Sequence, residues 1–223
     1  TSGGSIPEGY LNVSVENFNN KATEIEILHP TNPGSVYHLT KSLDQLLFMY
    51  YNKNDKLRIT DLHQGIVWGT ETYETSLDEK LINRFDYDGD FGTVLNRFIL
   101  QSVLDYPLTV HGSGGQTRAF ININDTVQCL SLAVNNPPLK NEKVKILNQM
   151  TETHRIIDLA NLISNQTGVE IEFIDNPRNE DDSNDLTVKN QIFTDLGLKK
   201  TLLKEKLIQE IKFIASKYTH RIN

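Results

Sequence analysis

The chain has 223 residues, a formal net charge of −7 and a sequence pI near 5.4. This acidic balance argues against nucleic acid or an anionic membrane surface as the main partner, because both bind basic surfaces. Cys129 is the only cysteine, so no internal disulfide can form and a reducing compartment such as the cytoplasm is expected. The apolar content suffices for one large core.

The first 51 residues predict a hairpin followed by a helix. Residues 1–32 are polar and rich in turn residues, with two alternating segments at 10–15 and 23–28, which predict a hairpin or an extended flap. Residues 35–51 carry apolar side chains at helical spacing. These side chains are Val36, Leu39, Leu43, Leu46, Leu47 and Tyr50. The apolar stripe is broad enough to pack on a sheet and also on a partner subunit.

Tyr37 and Lys41 lie near the start of this predicted helix. Their spacing of four residues places both side chains on one helix face, one turn apart. A neighbouring ammonium favours the charged form of a phenol, so the pair predicts a tyrosine that acts as a general acid or base. A Tyr-x-x-x-Lys pattern is expected by chance in about one of every two or three such chains. The alternative is a core-facing tyrosine followed by a solvated lysine.

The next segment predicts one wall of a ligand site. Residues 56–62 predict a short strand, and residues 63–69 predict a glycine-bearing loop after it. In open α/β sheets, ligands bind where strand ends meet such loops. Residues 70–90 predict a solvated acidic loop. Its end resembles a calcium loop, but Gly89 comes too early and Arg97 replaces the required glutamate, so we predict no metal site.

The remaining chain alternates between strands and helices, which predicts the α/β class. Strands are predicted at 108–111, 118–123, 143–148 and 169–174, and helices at 91–104, 125–135, 155–164, 187–195 and 202–217. The glycine-rich run at 112–115 leads into a strand rather than a helix. It therefore lacks the helix N-terminus that binds phosphate, and a tight turn is the better interpretation.

An ordered set of motifs gives the chain a resemblance to a known family. The motifs are YHLTK at 37–41, QGIVWG at 64–69, NRFDYD at 83–88, FGTVLNRF at 91–98, PLTV at 107–110, GGQTR at 114–118, DTVQC at 125–129, NQ at 148–149 and NPR at 176–178. In this order and spacing, the chain resembles the UDP-sulfoquinovose synthases of the extended short-chain dehydrogenase/reductase family of nucleotide-sugar enzymes. The likeness covers most of the chain from about residue 6 onward.

The resemblance implies a fold and a division of the chain. It implies the C-terminal half of a Rossmann-type doubly wound parallel sheet that holds NAD, with a smaller α/β lobe that holds UDP-glucose. Residues 1–32 are expected to form the flap or hairpin. Residues 33–70 and 119–150 are expected to belong to the NAD-binding domain, and residues 71–118 and 151–223 to the nucleotide-sugar-binding lobe.

The resemblance also implies the chemistry. Tyr37 would take the proton from the 4-hydroxyl of the sugar while hydride passes to NAD, and Lys41 would lower the pKa of Tyr37 and hold the nicotinamide ribose. Oxidation at carbon 4 makes the carbon 5 proton acidic, so water can be eliminated from carbon 6. Sulfite then adds at carbon 6, and the hydride returns to carbon 4. His38 would help to position the sugar or sulfite, with a buried structural histidine as the equally weighted alternative.

Other positions are implied to bind the ligands. Gln64 matches a position that touches both cofactor and substrate, although His63 before it departs from the family's asparagine. Arg118 and Arg178 match arginines that clamp the diphosphate, whose charges need bidentate partners; the alternative for each is a surface salt bridge. The implied nucleotide-sugar contacts also include Gly92, Thr93, Asn96, Pro107, Leu108, Thr109 and Asn176.

The family's glycine-rich NAD loop and the threonine and glutamate that act on its sugar have no counterpart in these residues. We therefore expect a C-terminal portion of the enzyme that is inactive by itself. Another epimerase or dehydratase of the superfamily, or a non-catalytic sugar-nucleotide-binding module, is the alternative. The resemblance further implies a homodimer through the helix at 35–51, a sulfite-donor protein as a candidate partner, and a cytoplasmic or, in a photosynthetic eukaryote, plastid-stromal location.

Overall fold

The computed structural model describes residues 4–16, 18–88, 92–177 and 183–218. Its strands are β1 (Gly4–Ile6), β2 (Leu11–Glu16), β3 (Ala22–Ile27), β4 (Thr60–Gln64), β5 (Ile66–Trp68), β6 (Leu108–His111), β7 (Gly115–Asn122), β8 (Lys145–Gln149), β9 (Glu152–Arg155), β10 (Ile171–Ile174), β11 (Ser183–Asn184) and β12 (Leu186–Val188). Its helices are α1 (Val36–Asp55), α2 (Tyr73–Leu77), α3 (Val94–Val103), α4 (Ile123–Asn135), α5 (Ile156–Thr167), α6 (Gln191–Asp195) and α7 (Leu203–Tyr218), with a 3₁₀ turn at Glu79–Leu81. Among these described helices, none combines the length and apolarity that crossing a bilayer requires.

Parallel strand pairs dominate the described sheets. β4 pairs with β8, β5 and β11 pair with β7, β6 pairs with β10, and β1 pairs with β12, all in parallel. The β2–β3 hairpin and the β7–β9 pair are antiparallel. Parallel strands require crossover connections, which the helices supply here. The predicted α/β class is confirmed, and so is the predicted hairpin within residues 1–32.

Strand β7 separates two hydrophobic clusters. Phe120 and Ile121, adjacent on β7, point to opposite faces and are both fully buried. The larger cluster contains Trp68, Leu95, Phe98, Ile99, Leu108, Val110, Phe120, Ile156, Leu159, Ala160, Ile163, Val169, Leu203, Leu207, Ile211 and Ile214. The smaller contains Ile121, Cys129, Ala133, Leu147, Phe193 and Leu198. A strand covered on both faces is typical of a parallel α/β layer.

Helix α1 begins and ends with recognisable caps. The Ser35 side chain accepts a hydrogen bond from the backbone N–H of His38, which satisfies a free donor of the first turn. At the other end Lys56 has a left-handed backbone with φ of 58°, and its N–H bonds to the Tyr51 carbonyl. The helix therefore runs one turn beyond its predicted end. It also delays the next strand, which begins at Thr60 rather than at residue 56.

The predicted loop at residues 63–69 is wrong. His63 and Gln64 end β4, and the next strand, β5, starts at Ile66. Gly65 joins the two strands, where an added Cβ atom would lie 2.9 Å from the carbonyl oxygen of Ala119. The apolar run that follows forms a strand because its side chains pack into both clusters, Trp68 into the larger and Val67 against the smaller.

β9 and β12 are among the further short strands that escaped prediction. β12 occupies the beginning of the predicted helix at 187–195, and only residues 191–195 are helical. β9 lies just before α5, whose prediction had included Arg155. Both strands have four residues or fewer, too few to show a period of two. Each is specified by pairing with a distant strand, β1 for β12 and β7 for β9.

A buried carboxyl group attaches α7 to the segment after β5. Glu210 is buried, and its Oε1 atom accepts a 2.7 Å hydrogen bond from the Thr70 hydroxyl. Burial raises the pKa of Glu210 above the ordinary value for glutamate, against the opposing effect of the hydrogen bonds from Thr70. The folded chain therefore holds this proton more tightly than the unfolded chain does. Its contribution to stability falls as pH rises from the ordinary pKa toward the raised one.

We expect Glu210→Gln to raise the melting temperature at pH 7, because glutamine keeps the acceptor oxygen and removes a buried charge. A relief of about 1 kcal/mol would appear as roughly 2–4 °C in a chain of this size. Calorimetric scans from pH 7 down to about pH 4 should show the gain shrinking as the wild-type carboxyl takes up its proton. Glu74→Gln, at an exposed position of α2, is the control. A lower melting temperature for Glu210→Gln at pH 7 would contradict the argument.

Candidate active site

The Tyr37 and Lys41 side chains meet on the first turns of α1. The Lys41 Nζ atom lies 5.8 Å from the centroid of the Tyr37 ring and 3.3 Å from an Asp44 carboxylate oxygen. Tyr37 is 67% exposed in the described structure. The ammonium thus lies beside an accessible phenol. The catalytic role of the pair stays a prediction.

His38 lies against the same tyrosine. Its ring meets the Tyr37 ring edge-on, with centroids 5.7 Å apart, and its Nδ1 atom lies 3.1 Å from the Ser35 hydroxyl. His38 is exposed in the described structure. The hydrogen bond to the helix N-cap fixes the imidazole beside the phenol. Its predicted contact with sugar or sulfite stays untested.

A buried glutamine attaches α1 to β4. Gln45 is the only buried residue of α1, and its Nε2 atom donates to Asp61 Oδ2 at 3.3 Å. The same amide lies 3.0 Å from His63 Nε2, and that imidazole nitrogen is 3.2 Å from Asp61 Oδ2. In either tautomer of His63, two of these three contacts are hydrogen bonds, and they join the helix to the strand. Their mutual bonding offsets the cost of removing them from water.

This attachment also sets the direction of α1. Further along the helix, the Asn52 amide donates to the carbonyl of Leu57, which precedes β4. The helix therefore runs antiparallel to β4, with its N-terminus at the carboxyl end of the strand. Lys41 and Tyr37 continue the face that carries Gln45, about 6 and 12 Å beyond it along the axis. The pair thus lies toward the sheet edge where open α/β folds bind ligands.

Gln64 ends β4 at this same edge. Its side chain is exposed, and its Nε2 atom donates to Gln149 Oε1 at 3.1 Å. Gln149 is buried and donates in turn to the Thr126 carbonyl. The two glutamines are register partners on β4 and β8. This chain of amides fixes the side chain of Gln64 at the carboxyl end of two adjacent parallel strands.

A separate cleft of about 340 Å³ gathers several predicted substrate residues. Gly92 and Thr93 reach it from the start of α3, Arg118 from β7, and Asn176 from the segment after β10. These residues come from three distant parts of the chain. Their convergence follows from the β6–β10 pairing and from the packing of α3 on α5 and β6.

The start of α3 is shaped by a glycine and a capping threonine. A Cβ atom on Gly92 would lie 2.4 Å from the Asp88 carbonyl oxygen, so only glycine fits. The Thr93 hydroxyl accepts from the Asn96 N–H at 3.2 Å and caps the helix. The Asn96 amide donates to the Asp86 carbonyl, so its side chain holds the preceding loop. Asn96 does not line the described cleft, and its ligand role stays a prediction.

The segment at 107–109 lies behind the cleft rather than in its wall. Leu108 is fully buried in the larger hydrophobic cluster, and its N–H donates to the Glu170 carbonyl. Thr109 bonds to α3 through its N–H, carbonyl and hydroxyl groups. Neither residue lines the cleft, and neither does Pro107. The geometry gives Leu108 and Thr109 structural roles, while direct nucleotide contacts from the segment stay predicted only.

Of the two arginines predicted to clamp the diphosphate, one can be placed. Arg118 lines the cleft from β7, and its Nη1 atom donates to the Thr117 carbonyl at 3.2 Å. Arg178 lies outside the described residues, although Asn176 and Pro177 just before it line the cleft. Arg118 therefore faces the cleft, and its contact with a diphosphate stays a prediction.

Several cleft residues were not assigned from sequence. Among them, Arg97 on α3, His111 at the end of β6 and Gln116 on β7 line the cavity with polar side chains. His111 ends a predicted strand, and the carboxyl end of a strand in an α/β fold is itself an indication of a ligand site. Arg97 carried no comparable signal, because only the packing of α3 on β6 directs it here.

The only cysteine takes no part in this site. Cys129 lies within the smaller cluster, and burial raises the pKa of its thiol to about 12. Such a thiol is a structural, unreactive group. Among the residues that the structure describes, no group of three or more His, Cys, Asp or Glu side chains is arranged to hold a metal ion.

No family model matches the chain. UDP-sulfoquinovose synthase of spinach, named as chloroplastic, is 39% identical over 223 residues, covering 98% of this chain and 45% of the relative. UDP-sulfoquinovose synthase of Sulfolobus acidocaldarius is 35% identical over 194 residues, covering 85% of this chain and 48% of the relative. The chain is similar to the UDP-sulfoquinovose synthases along most of its length. It spans about half the length of these relatives.

Solved structures confirm the Rossmann-type fold of this chain. UDP-glucuronic acid 4-epimerase from Bacillus cereus, in complex with UDP-glucuronic acid and NAD, matches with a TM-score of 0.65 and 25% identity. The match covers 86% of this chain and 55% of the epimerase. A Thermus thermophilus UDP-glucose 4-epimerase in complex with NAD also has a TM-score of 0.65, at 18% identity, over 84% of this chain and 56% of that protein.

We expect Gln45→Ala to loosen α1 from β4 by about 1–3 kcal/mol, the cost of leaving buried polar partners unsatisfied. Denaturant unfolding of the purified chain measures this change. Asp44→Ala removes an exposed ion pair on the same helix and should change stability by about 0–1 kcal/mol. Equal effects of the two substitutions would mean that the buried amide does not hold the helix.

Proposed function

We propose that this chain is the part of a UDP-sulfoquinovose synthase that binds the nucleotide sugar and supplies its acid–base pair. The complete enzyme would convert UDP-glucose and sulfite to UDP-sulfoquinovose. The observation that carries the proposal is the Lys41 ammonium 5.8 Å from the Tyr37 ring, toward the carboxyl end of β4. The homology to two synthases over most of the chain supports the choice of substrate.

In this proposal the Tyr37 phenolate takes the proton from the 4-hydroxyl of glucose, and the Lys41 ammonium offsets the phenolate charge. NAD, when bound, supplies the oxidation of carbon 4 and its later reversal. The 4-keto group acidifies the carbon 5 proton, so this proton and the carbon 6 hydroxyl leave as water and a double bond forms between carbons 5 and 6. Sulfite then adds to carbon 6 and carbon 5 takes up a proton, which consumes the double bond. His38, held beside Tyr37, positions the sugar or the sulfite.

The residues present fit one end of NAD. Tyr37, Lys41 and Gln64 lie at or near the carboxyl end of β4 and would hold the nicotinamide ribose. The sequence contains no G-x-x-G-x-x-G run to cradle the pyrophosphate. We propose that polypeptide outside these 223 residues supplies that part, since the relatives are about twice as long. The chain by itself would then bind nucleotide sugar without turning it over.

Two surfaces support this division of labour. α1 exposes a set of apolar side chains, namely Val36, Leu39, Leu43, Leu46, Leu47, Tyr50 and Tyr51. Among the described strands, β4 pairs only with β8, so its other edge offers unpaired backbone groups. A further parallel strand beside β4 would complete the sheet, and the proposed homodimer would cover the remainder of α1.

The remaining partners follow from the same proposal. UDP-glucose and sulfite are the substrates, and a sulfite-donor protein is a candidate partner. The site of action would be the cytoplasm, or the plastid stroma in a photosynthetic eukaryote, as the name of the spinach relative suggests.

The second candidate function is an NAD-dependent epimerase or dehydratase, which the B. cereus structural likeness favours. Product analysis with and without sulfite separates the two candidates, and binding without any turnover by the complete protein would indicate a non-catalytic module.

In the complete enzyme, we expect Tyr37→Phe to lower turnover by at least the roughly 10²- to 10⁴-fold attributed to general acid–base groups. Affinity for UDP-glucose should stay nearly unchanged, because the cleft is separate from the phenol. Steady-state kinetics and calorimetric titration measure the two quantities. Tyr50→Phe, on the same helix, is the matched control. Loss of binding with retained turnover would show that Tyr37 has a different role.

We expect Arg118→Ala to weaken UDP-glucose binding by about 2–4 kcal/mol, the cost of removing one partner of a buried charge pair. Arg178→Ala should have a similar effect if it is the second clamp. Arg155→Ala is the control, since this exposed arginine on β9 lies 3.7 Å from an Asp185 oxygen. Titration calorimetry on the purified chain gives all three affinities. Unchanged affinity would remove the substituted arginine from the clamp.

A further inference from the structure

Helix α3 holds one residue of β6 by three hydrogen bonds. In the parallel β6–β10 pair, the N–H groups of Leu108 and Gly112 point toward β10. Thr109, which alternates with them, directs its N–H and carbonyl to the opposite side. Its N–H donates to Gln101 Oε1 at 3.1 Å, and its carbonyl accepts from Arg97 Nη2 at 2.9 Å. The Gln101 amide also donates to the Thr109 hydroxyl at 2.8 Å.

These bonds fix the position of Arg97. Its guanidinium is anchored at Nη2, and its Cζ atom lies 5.5 Å from the ring centroid of Phe98, a fully buried residue. A side chain held in place before a ligand arrives loses little conformational freedom on binding. A planar guanidinium can bond to a carbonyl with one edge and to an oxyanion with another.

Arg97 lines the same cleft as Arg118. The first turn of α3, with Gly92 and Thr93 in the cleft wall, adds the partial positive charge of a helix N-terminus. Asp88 is the only carboxylate among the described lining residues. Two guanidinium groups and the N-terminus of a helix thus border one space, and each of them favours an anionic ligand group.

We propose that Arg97 contacts the diphosphate of the nucleotide sugar, together with Arg118, and that Gln101 positions it by holding Thr109. This inference rests on the proposed function. It assigns a direct binding role to a residue that the sequence motifs leave unassigned. The proposal also gives different roles to Arg97 and Gln101, which lie on one face of α3. Arg97 supplies the positive charge, and Gln101 only holds Thr109 in place.

The test measures binding of UDP, UMP and uridine to the purified chain by titration calorimetry. Arg97→Gln should weaken UDP binding by about 10- to 150-fold, the range for losing a hydrogen bond to a charged group. Uridine binding should change by less than about 2-fold, because it lacks the phosphates, and UMP should lie between. Gln101→Ala removes two of the three bonds to Thr109 and keeps the charge, so it should weaken UDP binding less than Arg97→Gln does and leave uridine binding nearly unchanged.

Arg97→Lys keeps the charge but not the two-edged geometry, and it provides a second variant if Arg97→Gln does not fold. It should weaken UDP binding by about 10-fold with uridine binding unchanged. Equal losses for UDP and uridine in either variant would mean that Arg97 only supports the fold, and unchanged UDP affinity would exclude it from the site. Failure of the wild-type chain to bind UDP would overturn the proposed function and this assignment together.

Discussion

Strand β7 is constrained from both edges and both faces, and the rest of the described structure depends on this constraint. β5 and β11 pair with it in parallel and β9 pairs antiparallel, while Phe120 and Ile121 fill clusters on opposite faces. A strand so enclosed cannot shift register by one residue without moving an apolar side chain into the wrong cluster. The position of Arg118, two residues before Phe120 and on the same face, is therefore fixed by core packing.

The same constraint relates the two parts of the candidate site. Ile66 of β5 is the register partner of Phe120 and also lines the cleft. Two residues earlier, Gln64 ends β4 beside the buried amide of Gln149. The acid–base pair on α1 is held to β4 through Gln45. Strands β4 and β5, joined at Gly65, thus connect the predicted acid–base pair on α1 with the cleft that Ile66 lines.

The sequence predicted the elements whose patterns are long. The period of 3.6 residues placed α1, and alternation placed β2 and β3. Short strands such as β9 and β12 were missed, since three or four residues carry no measurable period and their partners lie far away in the chain. Within the predicted loop at 63–69, residues 66–68 form strand β5. The packing of Trp68 and Val67 on the two clusters outweighs the effect of the flanking glycines, Gly65 and Gly69.

The candidate site was predictable only as far as local spacing determines geometry. Tyr37 and Lys41 come together because a helix brings positions four apart onto one face, and the structure shows that proximity. Arg97 could not be assigned in this way. Its direction depends on the edge of β6 that pairs with no other described strand, where Thr109 needs partners for its backbone groups and α3 supplies them. A buried backbone group that lacks a strand partner recruits a side chain, and this requirement exists only in the assembled fold.

Net charge also misleads when it is applied to a single site. The chain carries −7 overall, which argues against an extended anionic partner. A diphosphate, however, interacts with groups within a few ångströms, and charges beyond about 8–10 Å are largely screened at physiological ionic strength. Arg97, Arg118 and the N-terminus of α3 face the cleft with one described carboxylate, Asp88, among the lining residues. Nearby groups of this kind weigh more than the net charge, so the acidic balance of the chain does not argue against the proposed diphosphate contact.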